Sequence, residues 1–156
     1  MNCSARLSLG SDGHMPSTTT AMVGRNMHKI TMPEGVFEPV KGLYSQVVTT
    51  TSPIRHEIAG SLAYDAEGSL PETLADQCRA VMRNIDLSLK AVGMVPANVI
   101  RMRIYTLDMD AFLKEGLPIV FGYFGDARPT STLVQITRLA NPKMLVEIDA
   151  TAAPFD

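Results

Sequence analysis

Apolar residues recur every three or four positions between residues 69 and 93, which predicts one long amphipathic helix. Ser69 and Glu72 have the spacing of a capping box, so the helix is predicted to start near Ser69. Gly93 suits the position just past its last turn. A second helix is predicted from about Asp110 to Phe124, with a kink or a late start caused by Pro118. The stripe of the first helix consists of Leu74, Cys78, Val81, Met82, Ile85, Leu89 and Val92.

Five shorter segments alternate between apolar and polar side chains or are rich in β-formers, and we predict that they form strands. Ser52 and Pro53 are turn residues that separate the first two segments, so an antiparallel hairpin is expected there. Gly60 interrupts the second segment and indicates a β-bulge or a close backbone approach. The five segments are residues 42–50, 56–64, 98–107, 128–139 and 143–153.

The order of these elements favours an α+β domain, in which one mixed sheet of about five to six strands carries two helices on one face. Alternation along the strands predicts the side chains that face the helices, which are Ile100, Met102, Ile104, Val134, Ile136, Met144, Val146 and Ile148. The opposite face would then carry Arg101, Arg103, Tyr105, Ser131, Leu133, Gln135, Leu145, Glu147 and Asp149. This second face is too polar for a core. It is either solvated or packed against other subunits around a polar cleft.

The composition, with 46% hydrophobic and 19% charged residues among 156, argues against disorder for the body of the chain. Residues 1–30 are predicted to be a flexible tail and residues 31–156 one domain. The net charge is −2 without a run of Lys or Arg, so nucleic-acid binding is not favoured. No apolar run approaches the about 18 residues of a membrane span, and no signal peptide is visible. Cys3 and Cys78 form no disulfide framework, which fits a reducing compartment, and we expect a cytoplasmic protein.

Residue patterns alone indicate no reaction. His14, His28 and His56 lack metal-ligand spacing, and no glycine-rich phosphate loop is present, so neither a metal nor a cofactor is predicted. Cys78 belongs to the apolar helical stripe and is interpreted as a buried hydrophobic residue, not as a nucleophile.

Several segments nevertheless occur in a recognisable order. They are "GLYSQVV", "AGSLAYDAEGSLP", "LADQCRAVMRNIDLSLKAVG", "NVIRMRIYTLDMDAF" and "RPTSTLVQITRLANPKMLVEIDATAA". Over residues 36–153 the chain resembles the RidA/YjgF family, which is also described as endoribonuclease L-PSP-like. The resemblance implies a chorismate-mutase-like α+β fold and a homotrimer with ligand clefts between subunits. It also implies hydrolysis of small imines or enamines without a cofactor or metal.

The resemblance assigns roles to four positions of the cleft. Tyr44 matches the tyrosine near the cleft, and Asp149 matches the glutamate that positions water, one methylene shorter. These two are the candidate catalytic residues. Gly60 matches the glycine of the second strand, whereas the neighbouring Ala59 and Ser61 depart from the family pattern. Gly60 and Ser61 remain candidates for substrate binding.

Three other positions depart from the family in ways that bear on the substrate. Ser131 stands where the family has an arginine that binds the substrate carboxylate, and Leu133 stands where a cysteine is common. The asparagine of the second helix is absent, its place taken by Gly116 or Leu117. An arginine forms two parallel charge-assisted hydrogen bonds, so its loss should slow hydrolysis of a carboxylate-bearing imine on the order of 100-fold.

Arg128, Arg101 or Arg103 could replace the missing arginine with altered geometry. The first hypothesis is therefore a RidA-like trimer whose intersubunit cleft acts on a small imine, an enamine or a related metabolite. Deamination of 2-aminoacrylate itself would be doubtful. The alternative is a non-catalytic small-molecule-binding trimer, and a less favoured one is an endoribonuclease or translation inhibitor.

Overall fold

The computed structural model describes residues 28–36 and 42–155, and it confirms the α+β fold. Its strands are β1 (Lys29–Thr31), β2 (Val47–Thr49), β3 (His56–Ser61), β4 (Val99–Thr106), β5 (Thr130–Gln135) and β6 (Val146–Ala152). Its helical elements are α1 (Leu74–Ala91), a 3-10 turn (Pro96–Asn98), α2 (Met109–Ala111), a π turn (Phe112–Gly116) and α3 (Leu117–Gly122). No helix in these two described ranges is long and apolar enough to cross a membrane.

The described strands form two sheets where a single sheet was predicted. Four strands form a mixed sheet in the order β3-β6-β4-β5, in which β4 pairs parallel with β5 and antiparallel with β6. β1 and β2 form a separate antiparallel pair. The predicted hairpin between residues 42–50 and 56–64 is therefore wrong, because β2 pairs with β1 and β3 pairs with β6.

The first strand changes the predicted domain boundary. β1 includes Lys29 and Ile30, which were assigned to the tail, so the described fold begins before residue 31. His28 precedes this strand, and its Nε2 lies 3.1 Å from the carbonyl oxygen of Ala153. This contact joins the start of the described chain to the end of the domain. The rest of the predicted tail, residues 1–27, lies outside the described residues.

Helix α1 starts later than predicted. The Asp65 carboxylate accepts a hydrogen bond of 2.7 Å from the Ser69 amide, which places Ser69 in a turn. Thr73 caps the helix instead, and its hydroxyl accepts a hydrogen bond from the Asp76 amide. The predicted apolar stripe is confirmed as the buried face from Leu74 to Leu89, but its last member, Val92, is the C-cap residue and is 41% exposed. Gly93 follows the helix with φ at +73°.

A fully buried glutamine fixes α1 to the loop that precedes β6. The Gln77 side-chain amide donates hydrogen bonds of 2.8 Å to the carbonyl oxygens of Pro71 and Lys143. Its side-chain oxygen accepts a 2.8 Å hydrogen bond from the Leu145 amide. Three backbone groups that would otherwise lack partners are thereby satisfied.

The second helical segment runs from Met109 to Gly122 and connects the parallel strands β4 and β5. Its central turn is a π turn, which packs the fully buried Phe112 against the core. The segment starts at Met109, so the late start considered for it is wrong, and Pro118 instead lies in the first turn of α3, directly after the π turn. Gly116 ends the π turn, and a Cβ there would lie 2.6 Å from Phe112 Cδ2 and 3.0 Å from Cys78 Sγ.

The Gly116→Ala variant should therefore be less stable than the wild-type protein by about 1–3 kcal/mol, because the added methyl group overpacks the core. Gly122→Ala is the matched control, since Gly122 is also helical and a Cβ there has no neighbour within 4 Å. We expect the control to be unchanged or slightly more stable, because alanine favours helix. Denaturant unfolding at one fixed protein concentration measures both. Equal stability of the two variants would contradict the tight packing described for Gly116.

Candidate functional site

The register of β5 places Ser131 and Leu133 on the helix-covered face of the sheet. Ser131 pairs with Met102 and Leu133 pairs with Ile104, and both partners on β4 are fully buried. The predicted orientation of β5 is therefore wrong, and Val134 is 38% exposed on the opposite face. Both faces of this strand are partly apolar, so alternation alone does not determine which face lies towards the helices. The parallel pairing with β4 determines it.

A pocket of about 270 Å³ opens beside these two residues, between β5, the second helical segment and the chain before β2. The residues around it are mostly apolar, and none is charged. They are Leu43, Tyr44, Leu113, Leu117, Phe121, Ser131 and Leu133. Tyr44, Ser131 and Leu133 were expected at the site from the sequence. Leu117 was one of two candidates for the place of the family asparagine, whereas Leu43, Leu113 and Phe121 were not assigned to the site. Leu113, Leu117 and Phe121 recur at intervals of four.

The π turn explains why those three side chains line one wall. Residues four apart drift steadily around an α-helix, because four residues are slightly more than one turn. A π turn takes in more residues than an α turn and so reverses part of that drift. Leu113, Leu117 and Phe121 consequently face the same pocket. The wall is fixed to α1 by Tyr123, whose hydroxyl donates a 2.8 Å hydrogen bond to Asp86.

The pocket wall includes the side-chain hydroxyl of Ser131. Ser131 is half-buried, and its Oγ atom is buried with no hydrogen bond among the described residues. Tyr44 is held nearby because the amide of the adjacent Ser45 donates a hydrogen bond of 3.4 Å to the Pro129 carbonyl, two residues before Ser131. Buried hydroxyl groups normally have partners, so an unpaired one in a pocket wall is a candidate ligand contact.

Asp149 lies on the other face of the same sheet. It pairs in register with Arg103, and Nε of Arg103 donates to both carboxylate oxygens, at 2.9 and 3.0 Å. The Asp149 side chain is 18% exposed and that of Arg103 is 47% exposed. The hydrogen bond and charge of Asp149 raise the pKa of Arg103, which stays cationic. The two residues thus present a fixed ion pair at the surface.

Gly60 belongs to the open face as well. The pairing of β3 with β6 shifts between Ile58 and Ser61, and a Cβ at Gly60 would overlap the Glu147 carboxylate. The predicted bulge is consistent with this register shift, and the group that approaches Gly60 is the Glu147 side chain, not another backbone. The Ser61 hydroxyl donates a 3.3 Å hydrogen bond to the carbonyl oxygen of Ala59. Neither Gly60 nor Ser61 lines the pocket at Ser131.

The candidate replacement arginines also lie away from that pocket. The Arg128 guanidinium covers Gly42, where Nη1 would be 3.2 Å from a Cβ, and it borders a different small crevice that contains His28. Arg101 is exposed on β4 and, like Arg103, alternates with the buried Met102. Within one chain, the structure therefore brings Tyr44, Ser131 and Leu133 together and separates them from Asp149, Gly60 and the three arginines.

Other groups do not offer an alternative reaction centre. Cys78 is fully buried, as interpreted from its place in the apolar stripe, and burial raises the pKa of its thiol to about 12. Within residues 28–36 and 42–155, no three His, Cys, Asp or Glu side chains cluster closely enough to hold a metal ion.

Comparisons with known proteins identify the family. The sequence model of the family described as Endoribonuclease L-PSP matches residues 37–154. A RutC family protein of Pyrococcus horikoshii is 33% identical over 129 residues, which are 81% of this chain and 98% of that protein. The chain belongs to the RidA/YjgF family.

Solved structures agree with this assignment. The Rid-family protein YyfB of Yersinia pestis is 30% identical with a TM-score of 0.75, over 81% of this chain and 98% of that one. A Mycobacterium tuberculosis member of the YjgF/YER057c/UK114 family is 32% identical with a TM-score of 0.57, over 70% of this chain and 85% of that one. The fold expected from the resemblance is thereby supported independently of the site.

Proposed function

We propose that this protein hydrolyses the C=N bond of a small imine, or of the imine tautomer of an enamine, in a cleft between subunits of a homotrimer. The observation that carries the proposal is the separation of the site residues onto two faces of one sheet. The pocket beside Tyr44 and Ser131 is lined by no carboxylate, histidine, lysine or arginine, and the Arg103–Asp149 pair does not line it. A second subunit that presents its open face to the pocket would supply both parts.

In the proposed reaction, water adds to the imine carbon and ammonia leaves, so that R₂C=NH and H₂O become R₂C=O and NH₃. Asp149 of the adjacent subunit orients the water by accepting one of its hydrogen bonds. The adjacent Arg103 holds that carboxylate in position through both oxygens. Tyr44 and Leu133 form the wall against the substrate, and Gly60 leaves room for Glu147 beside the ion pair.

Ser131 makes a substrate with a free carboxylate, such as 2-aminoacrylate, a poor match for this pocket. One neutral hydroxyl replaces a bidentate cation, and Arg128 is turned towards Gly42. An imine without an α-carboxylate is the better candidate. A cytoplasmic location remains part of the proposal, supported by the lack of a disulfide framework in the sequence.

The test is the rate at which the protein hydrolyses an imine freshly released by an amine oxidase, measured in competition with semicarbazide. We expect wild-type protein to accelerate the loss of the imine. Asp149→Asn should slow the reaction about tenfold, less than the full effect of a general base, because the asparagine oxygen still accepts a hydrogen bond from water. Light scattering should give three times the mass of one chain.

Glu57→Gln is the matched control, since Glu57 also lies on the open face and accepts a 2.7 Å hydrogen bond from Thr151. Its turnover should equal that of the wild-type protein. A monomer in solution would contradict the intersubunit cleft. A trimer that binds small molecules without any turnover would instead support the alternative, a non-catalytic binding protein. RNA cleavage is less favoured, because a net charge of −2 without a basic run gives little attraction to phosphates.

A further inference from the structure

We propose that the pocket beside Ser131 binds an uncharged molecule that joins a branched aliphatic or small ring group to one polar atom, and that it discriminates against carboxylates. This molecule would be a substrate only if the proposed function is correct. The binding claim itself depends only on the pocket.

The first argument is the charge of the pocket wall. Five of the seven lining residues present hydrocarbon side chains, and the other two, Tyr44 and Ser131, carry neutral hydroxyl groups. Two of the candidate replacement arginines have other contacts in one chain, Arg128 over Gly42 and Arg103 with Asp149. A carboxylate that entered this pocket would lose hydration without gaining a counter-charge from the seven lining residues, whereas an amide, imine or ketone would lose much less hydration free energy.

The second argument is size and shape. A dry cavity of about 150 Å³ is large enough to bind benzene, and this pocket has about 270 Å³. The π turn directs Leu113 and Leu117 into it, and Leu133 lies on the strand opposite. A branched or cyclic hydrocarbon group fills such a space better than a polar three-carbon molecule does.

The third argument is the unpaired hydroxyl. Ser131 Oγ has no hydrogen-bond partner among the described residues. A hydroxyl rotates among three staggered positions about χ1 and can either donate or accept. A single polar atom on the ligand would satisfy it, and this bond would orient the ligand with its hydrocarbon group towards the helical wall.

The experiment compares isovaleramide with isovalerate, which have the same branched skeleton but differ in charge. Binding to the purified full-length protein is measured by titration calorimetry and saturation-transfer NMR. We expect isovaleramide to bind with a dissociation constant on the order of 1 mM, at least about tenfold tighter than isovalerate. Acetamide, which lacks the branched group, should bind at least about tenfold more weakly than isovaleramide.

Two substitutions locate the binding. Leu117→Asn keeps the size of the side chain but makes the wall polar, and it should weaken isovaleramide binding at least about tenfold. Ser131→Ala should weaken it about fivefold, the effect of one net hydrogen bond. Leu87→Asn is the control, because Leu87 is an exposed leucine on α1 that does not line the pocket.

Equal or tighter binding of isovalerate would overturn the inference, and so would binding that survives Leu117→Asn. Failure of isovaleramide to bind an intact oligomer would also overturn it, and would indicate that a partner side chain fills the pocket. These outcomes differ from failure of the proposed function, in which isovaleramide binds as expected but no imine is hydrolysed.

Discussion

The Ser131→Arg variant is expected to hydrolyse a carboxylate-bearing imine on the order of 100-fold faster than the wild-type protein. Position 131 borders the pocket, and its register partner Met102 holds it on the helix-covered face. An arginine there would reach the substrate with two charge-assisted hydrogen bonds, where serine supplies one neutral bond. The substrate would be the imine that an amino-acid oxidase forms from leucine, followed in competition with semicarbazide.

Ser131→Met is the control for this experiment, because it adds a long side chain without a charge and should give no increase. The same arginine should reverse the ligand preference, so that isovalerate binds more tightly than isovaleramide. Wild-type turnover as fast as that of Ser131→Arg would refute the prediction. In that case Arg101, Arg103 or Arg128 would be serving as the carboxylate-binding residue.

The Gln77→Met variant is expected to lose about 3 kcal/mol of unfolding free energy, although methionine has nearly the same length and volume as glutamine. The substitution removes three hydrogen bonds of 2.8 Å and leaves the carbonyls of Pro71 and Lys143 and the amide of Leu145 without their partner. Each unsatisfied buried group lowers the free energy of unfolding by about 1–3 kcal/mol, and small structural shifts or water molecules that enter recover part of this loss.

Denaturant unfolding at one protein concentration provides the measurement, since assembly would otherwise change the apparent stability. Arg79→Met on the same helix is the control. Arg79 forms an exposed ion pair with Asp76 at 2.7 Å, and such pairs change stability by less than about 1 kcal/mol. A Gln77→Met variant as stable as this control would mean that the three hydrogen bonds contribute little.

Local sequence features predicted those parts of the fold that local physics determines. The stripe of α1, the stop at Gly93 and the buried sides of β4 and β6 each follow from spacing and residue type. Gly60 was predicted to mark a bulge or a close approach, and Glu147 occupies the space that its missing side chain leaves. Gln77 is a polar residue within the apolar stripe of α1, and such a residue is a signal for a buried hydrogen-bonding side chain.

The predictions that were wrong concern features that depend on residues distant in the sequence. β2 pairs with β1, not β3, and nothing within residues 42–64 encodes that choice. The side of β5 that faces the helices is decided by β4, which lies more than twenty residues earlier. Alternation shows which residues of one strand share a face. It does not show which face of the sheet Ser131 or Asp149 lies on, because that depends on how the strand pairs with its neighbours. The family resemblance named candidate site residues, but it gave no information on which of them a single chain brings together.

Because Ser131 and Asp149 lie on opposite faces of the sheet, substitutions at the two positions should affect stability independently. Ser131 and Asp149 share no side-chain partner in one chain, since one borders the helical wall and the other binds Arg103. Their effects on unfolding should be additive, as for independent sites. Thermodynamic coupling between the two substitutions would then be evidence for the proposed contact between subunits. Substitutions at Ser131 or Leu133 should therefore change the pocket while the Arg103–Asp149 pair keeps its geometry.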